Sequence, residues 1–354
     1  MKKFLLWSML CGGILFGFGA CNDGDDIEPD INPEAKGVFI LNEGGFGGNN
    51  AGISFYEPST GAFNTDIMRQ SLGDIGQDML IYGSKLYVTV YASNYISVID
   101  LATKEEERKI NISEGGVAAS GPRFLASHNG KVYASAHSDH LLRIDTASWV
   151  VAKIEVGPDP EGIAVVGESL YVAITNGLEY NPETMTNYLE VIDLASFTKT
   201  DNRITVNRNP YYLQADGADN LYVSSMDIYG GINYDELLNP GLLQKVTVSS
   251  STVETVAETP VNRFVISDGK CYFQNYTATG VIDLNTKTTN SYITDETSLP
   301  GFSYGIGVDP GTKDIYVATT DYMTPGKIYV FGADGKLKTT KSAGINPNCF
   351  AFYY

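Results

Sequence analysis

Few side chains in this 354-residue sequence are of the types that do chemistry. Histidine occurs three times, as His128, His137 and His140. The last two belong to the run His137-Ser138-Asp139-His140, which places two imidazoles and a carboxylate at short spacing, as a metal site would. A metal would need a further donor from a distant segment, and nothing in the sequence marks one, so the run reads as a solvated hairpin turn. No Gly-x-Ser-x-Gly elbow or phosphate-binding loop is present, and Asp309-Pro310-Gly311 reads as a turn. The sequence therefore assigns no catalytic residue, no metal ligand and no cofactor. It is rich instead in tyrosine, with 23 copies, interspersed with asparagine. Aromatic area with little rotamer entropy, beside adaptable amides, suits a neutral polar ligand; the bland alternative is that these tyrosines only pack loops against the scaffold.

The elements that position these residues are repeats. Lys85 to Ile110, KLYVTVYASNYISVIDLATKEEERKI, contains two stretches of alternating apolar and polar residues joined by a short link, then a polar turn and a third alternating stretch. Its Tyr87 position recurs as Phe39, Tyr133, Tyr171, Tyr222, Tyr272 and Tyr316, spaced between 38 and 51 residues apart. That spacing fits one four-stranded propeller blade. An apolar strand precedes each copy except the first, and its counterpart is Pro347 to Phe352 at the far end of the chain. The expectation is an all-β, seven-bladed β-propeller whose C-terminal strand pairs with the first blade and closes the ring.

The two faces of such a ring differ. Turns between first and second strands are short, as at Asn129-Gly130 and Asp268-Gly269. On the other face the connections from second to third strand are long in blades 1, 4 and 5, with inserts Asn42 to Asn50, Asn176 to Tyr188 and Met226 to Pro240. Long loops on a rigid scaffold commonly carry function. They bring Phe46, Asn49, Tyr180, Tyr188, Tyr229 and Tyr234, while Tyr91, Tyr276 and Tyr322 lie on shorter loops of the same face. Residues entering the inner strands form a mixed polar rim at the channel mouth, including Asp78, Arg123, Glu161, Tyr211 and Tyr304. Tyr180, Tyr188, Tyr229 and Tyr234 are expected to form one aromatic wall.

The segments KLYVTVYASNYISVIDLATKEEERKI and AKIEVGPDPEGIAVVGESLYVAITNG (Ala152 to Gly177) resemble the YVTN repeat of YncE-like and surface-layer seven-bladed propellers, with the likeness running from about Gly37 to Tyr354. The resemblance implies a binding scaffold, and related propellers also include lyases and lactonases.

The N-terminus reads as a targeting segment: Lys2 and Lys3, an apolar run from Phe4 to Phe18, then Gly19-Ala20-Cys21. It resembles a bacterial lipoprotein signal over residues 1–20 with Cys21 as the lipidated residue; the alternative is an uncleaved anchor. Residues 21–36 form an acidic tether, similar to the export signal of surface lipoproteins of Bacteroidetes, ahead of the propeller at 37–354. Its aspartates lack the closing Glu of an EF-hand loop. The net charge of −18 argues against nucleic acid and anionic membrane as partners. Of four cysteines, Cys11 falls in the leader, and Cys271 and Cys349 are expected on inner strands as unpaired buried thiols.

Signal, length and repeat together are similar to those of the BtuG cobalamin-capture family. That likeness implies a lipid-anchored protein of the outer membrane, facing the cell exterior, which binds a corrinoid or other neutral polar small molecule and hands it to a TonB-dependent transporter. A glycan-binding or other surface-binding propeller and a lyase-like or lactonase-like enzyme are the alternatives; the enzyme would need a histidine or a carboxylate pair at the mouth.

Overall fold

The computed structural model describes residues 34–113, 119–275 and 277–354. The leader, Cys21, most of the acidic segment and Tyr276 lie outside the described residues. Seven four-stranded antiparallel sheets follow one another along the chain. Their inner strands lie side by side in sequence order, and the last lies against the first. Each blade buries one face of its sheet against the next, because alternation along Leu86, Val88 and Val90 and along Ile96 and Val98 leaves both faces apolar near the middle of the sheet.

The ring closes as the repeat alignment requires. Pro347–Tyr353 pairs with Gly37–Asn42, which pairs in turn with Gly52–Glu57 and then Ala62–Asn64, so the end of the chain is the inner strand of blade 1. Phe350 and Phe352 pack on Tyr316 of blade 7, with ring centroids 5.8 and 5.2 Å apart. Cys349 lies on this inner strand, but Cys271 lies on the second strand of blade 6, Lys270–Gln274, one strand outward from its expected place. Both are free thiols.

The aspartate of the recurrent VID element ends the third strand and holds the turn to the fourth. Asp100 Oδ1 accepts from the backbone N–H of Ala102 and Thr103, and Asp145 Oδ1 from Ala147 and Ser148. A lysine hydrogen bond from Lys85, with those turn bonds, lowers the Asp100 carboxyl to about 2.

Blade 5 carries an addition that the repeat does not predict: its insert folds into a small hairpin, Ile228–Gly230 paired with Glu236–Asn239. This hairpin and the blade 4 insert form a crest exposing Ile232, Tyr234, Leu178 and Leu237.

Deleting residues 349–354 should leave the inner edge of Gly37–Asn42 unpaired and uncover Tyr316, while removing Phe350 and Phe352, whose burial contributes roughly 1.5 to 3 kcal/mol each. Light scattering of the truncated chain is expected to show aggregation; a monodisperse product with an unchanged thermal midpoint would contradict closure by this strand.

Candidate functional site

The mouth on the long-loop face owes its lining to a repeated irregularity. Pairing between first and second strands skips a residue near Gln77, at Arg123 and Phe124, at Glu161 and Gly162, at Tyr211 and Tyr212, and near Tyr304. Asn348 sits at the same kind of shift in blade 1. Such bulges re-aim side chains and bend the strand. In three blades a hydroxyl of the second strand accepts the backbone N–H that the bulge leaves free: Asp78 N to Thr89 Oγ1 at 3.0 Å, Phe124 N to Ser135 Oγ at 3.1 Å, and Tyr212 N to Ser224 Oγ at 3.2 Å. Left-handed residues precede these strands, at Gly121, Asp159, Asn209 and Asn346 and also at Ile75, whose φ is 62°. For a β-branched residue that backbone is strained, and Ile75 lines the mouth.

The result is a cavity of about 330 Å³. Phe46, Tyr91, Arg123, Tyr211 and Tyr304 line it, together with Glu43, Gln77, Asn262, Arg263, Gln274 and Asn348. Phe46 is 82% exposed at its edge. The loop carrying it is fixed by Gly45 N donating to Asn50 Oδ1 at 2.8 Å and Gly47 N donating to Asp74 Oδ2 at 2.9 Å.

Charge within the mouth is paired internally. Arg123 donates from Nε to Glu161 Oε2 at 2.7 Å and from Nη2 to Glu161 Oε1 at 3.0 Å, and its Nη1 reaches Gln77 Oε1. His137 Nε2 lies 2.9 Å from Glu161 Oε1, and its Nδ1 lies 3.3 Å from the Tyr91 hydroxyl. Burial works to raise the Glu161 carboxyl, and the charge of Arg123 with the His137 hydrogen bond outweighs it, so Glu161 sits below its ordinary value. Deeper in the channel Arg263 faces Asp78 at 3.5 Å and donates to Gln77 O at 2.9 Å. Burial raises the Asp78 carboxyl, against the lowering effect of Arg263. The Cys349 thiol lies 3.5 Å from Asp78, and burial with that neighbour pushes it up to about 12, which leaves it unreactive.

One expectation is corrected in part. The run at His137 is a turn with Asp139 exposed, but the His137 side chain is 10% exposed and belongs to the mouth network. Glu43 is a further acid at the mouth beside Asp78 and Glu161, accepting from the Tyr304 hydroxyl at 2.6 Å and from Asn348 Nδ2 at 3.3 Å. Burial raises the Glu43 carboxyl above its ordinary range, more than its hydrogen bonds and Arg263 lower it.

The other candidate residues lie away from this cavity. Tyr322 stands behind Tyr304, ring centroids 5.4 Å apart. Tyr180 and Tyr234 meet edge to face at 5.4 Å on the crest, and the Tyr180 hydroxyl bonds the backbone of Tyr229 on both sides, donating to its O at 2.8 Å and accepting from its N at 2.7 Å. Tyr188 does not join them: it begins the third strand of blade 4, with the Arg203 guanidinium 4.3 Å from its ring centroid. Asn49 is exposed, and its backbone oxygen accepts from Ser71 Oγ at 2.6 Å. Among the described residues no group of three or more metal-ligating side chains comes together.

Residues 36–119 match a family described as a domain of unknown function, DUF5074. No curated protein matches the chain. Among solved structures the chain is similar to hydrazine synthase of Kuenenia stuttgartiensis, with 16% identity over 77% of this chain and 88% of that one and a TM-score of 0.60. It is similar also to apo AztD from Citrobacter koseri, with 13% identity over 89% and 96% and a TM-score of 0.56. The WD40 repeats of RRP9 give 10% identity over 76% and 81% and a TM-score of 0.57. At these identities the likeness establishes the propeller fold.

The raised Glu43 carboxyl fixes the sign of a pH effect. A group that holds its proton more tightly when folded contributes stability below its unfolded value and loses it as pH rises through the folded one. Glu43→Gln is therefore expected to raise the thermal midpoint at about pH 7, with the advantage gone near about pH 4. Scanning calorimetry at both values checks this; an equal or lower midpoint of the variant at the higher pH would contradict it.

Proposed function

We propose that this protein is a non-enzymatic capture protein whose loop-rich mouth binds a neutral polar small molecule, with a corrinoid as the best candidate. The observation that carries the reading is the internal pairing of charge beside an open lining of aromatic faces and amides. Arg123 is spent on Glu161 and Gln77, and Arg263 on Asp78 and Gln77, so the lining offers a ligand the ring faces of Phe46, Tyr91, Tyr211 and Tyr304, side-chain amides and the hydrogen-bonded Glu43 carboxyl. A corrinoid is larger than a cavity of about 330 Å³. It would cover the mouth and insert an edge, with the inserts of blades 1, 4 and 5 around it, its uncharged amide-bearing rim meeting uncharged partners.

The same geometry disfavours acid–base catalysis by His137 and Glu161, since both Glu161 oxygens are taken by Arg123 and His137. In this reading Cys21 carries the lipid that holds the protein to the outer membrane, the acidic segment tethers the propeller on the outer side, and the captured molecule passes to a TonB-dependent transporter. The net charge of −18 is consistent with a small uncharged ligand rather than nucleic acid.

Titration calorimetry of the full chain with cyanocobalamin tests the reading. Saturable binding with a dissociation constant of about 1 μM or tighter is expected. Absence of binding at about 1 mM would remove the corrinoid.

A further inference from the structure

Two buried amides at the mouth lack partners for one atom each. Asn262 Nδ2 and Asn348 Oδ1 have no hydrogen-bond partner, and both residues line the cavity while being only 3% exposed. Among the described residues these are the only two such buried side-chain atoms. The orientation of Asn348 is fixed by what its nitrogen faces. Nδ2 points at three acceptors, Gly76 O at 3.1 Å, Glu43 Oε2 at 3.3 Å and Gln77 O at 3.4 Å, so the unmet atom is the carbonyl oxygen. Buried polar atoms are normally satisfied, and an exception at a cavity wall is met by a bound water or by a polar group of a ligand that displaces it.

The site thus asks for an acceptor to meet Asn262 and a donor to meet Asn348. A carboxylate brings acceptors only, and would sit near Glu43. An ammonium or guanidinium brings donors only, and would sit near Arg263, the neighbour of Asn262 in sequence. A carboxamide brings both without charge, in a plane that lies flat on tyrosine faces such as Tyr211 and Tyr304. We infer that the floor of the mouth is a carboxamide subsite, in which uncharged amide groups of the ligand accept from Asn262 Nδ2 and donate to Asn348 Oδ1. This rests on the capture reading and adds the chemical group that is recognised. Both atoms are covered by the surrounding lining, so binding shifts that lining while the Asn348 nitrogen keeps its acceptors.

The test is nuclear magnetic resonance of the full chain labelled with ¹⁵N-asparagine, the side-chain NH₂ pairs being assigned from Asn262→Leu and Asn348→Leu. Three probes are compared: nicotinamide, methyl nicotinate, which keeps the ring and carbonyl but has no N–H, and methyl α-glucoside, which offers hydroxyls. Nicotinamide should move the pairs of both residues saturably, with the ester about tenfold weaker and the glucoside without effect. Equal binding of amide and ester, movement by the glucoside at lower concentration than the amide, or no movement with nicotinamide would each overturn the subsite. None of the probes is a corrinoid, so failure of the cobalamin titration leaves this result standing. Conversely, Asn262→Leu removes an unmet donor and is expected to fold as well as the parent; if it binds cyanocobalamin with unchanged affinity, the subsite fails while the capture reading survives.

Discussion

The pairing of Pro347–Tyr353 with Gly37–Asn42 is the contact on which the rest depends. Without it blade 1 lacks its inner strand and the ring has two open edges. The same pairing builds the mouth. Glu43 follows the first strand directly and Asn348 lies on the last, so the contact between them forms only when the two chain ends meet. Asn346 reinforces the junction, donating to Gly44 O at 2.8 Å and accepting from Thr320 Oγ1 at 2.6 Å. Stability and the geometry of the mouth therefore share one origin.

Around that junction the chemistry of the mouth is one of compensation. Two guanidiniums and three carboxyl groups enter a narrow channel, and each finds partners inside the protein. Buried pairs of this kind contribute little net stability, because desolvation offsets attraction, but removing one member is costly. Their effect is to hold the bulged strand starts in place. They also occupy the guanidiniums, so the lining otherwise presents tyrosine rings, amides and the hydrogen-bonded Glu43 carboxyl.

Much of this was legible in the chain. The recurrence of the Tyr87 position, the VID turn aspartates and the stray strand at Pro347 determined blade number and closure, because blade repeats are local and each obeys the same period-2 pattern. The long inserts of blades 1, 4 and 5 were visible for the same reason, and Phe46, Tyr91, Arg123, Tyr211 and Tyr304 do meet on one cavity. What was not legible depends on contacts across the ring. His137 and Glu161 come from adjacent blades, and Asp78 and Arg263 are 185 residues apart, so no local spacing announces either pair. Glu43 lay hidden in a glycine-rich insert. Signals did exist: Gly121-Pro122, Asp159-Pro160, Asn209-Pro210 and Asn346-Pro347 mark where the chain enters an inner strand, and Thr89, Ser135 and Ser224 mark the bulges that re-aim it. Tyr188 was misplaced because its register, set by pairing with Ile174 and Thr205, makes it a strand residue and not a loop residue.

The central claim is that the mouth recognises its ligand through uncharged groups while its ions are occupied with one another. The most direct measurement is the affinity for cyanocobalamin across ionic strength, from about 0.01 M to about 1 M, where the screening length falls from about 30 Å to about 3 Å. The account predicts a dissociation constant that changes by less than about threefold over this range. A steep, continuous loss of affinity with salt would show that Arg123, Arg263 or an acidic group is engaging the ligand directly, and would contradict it.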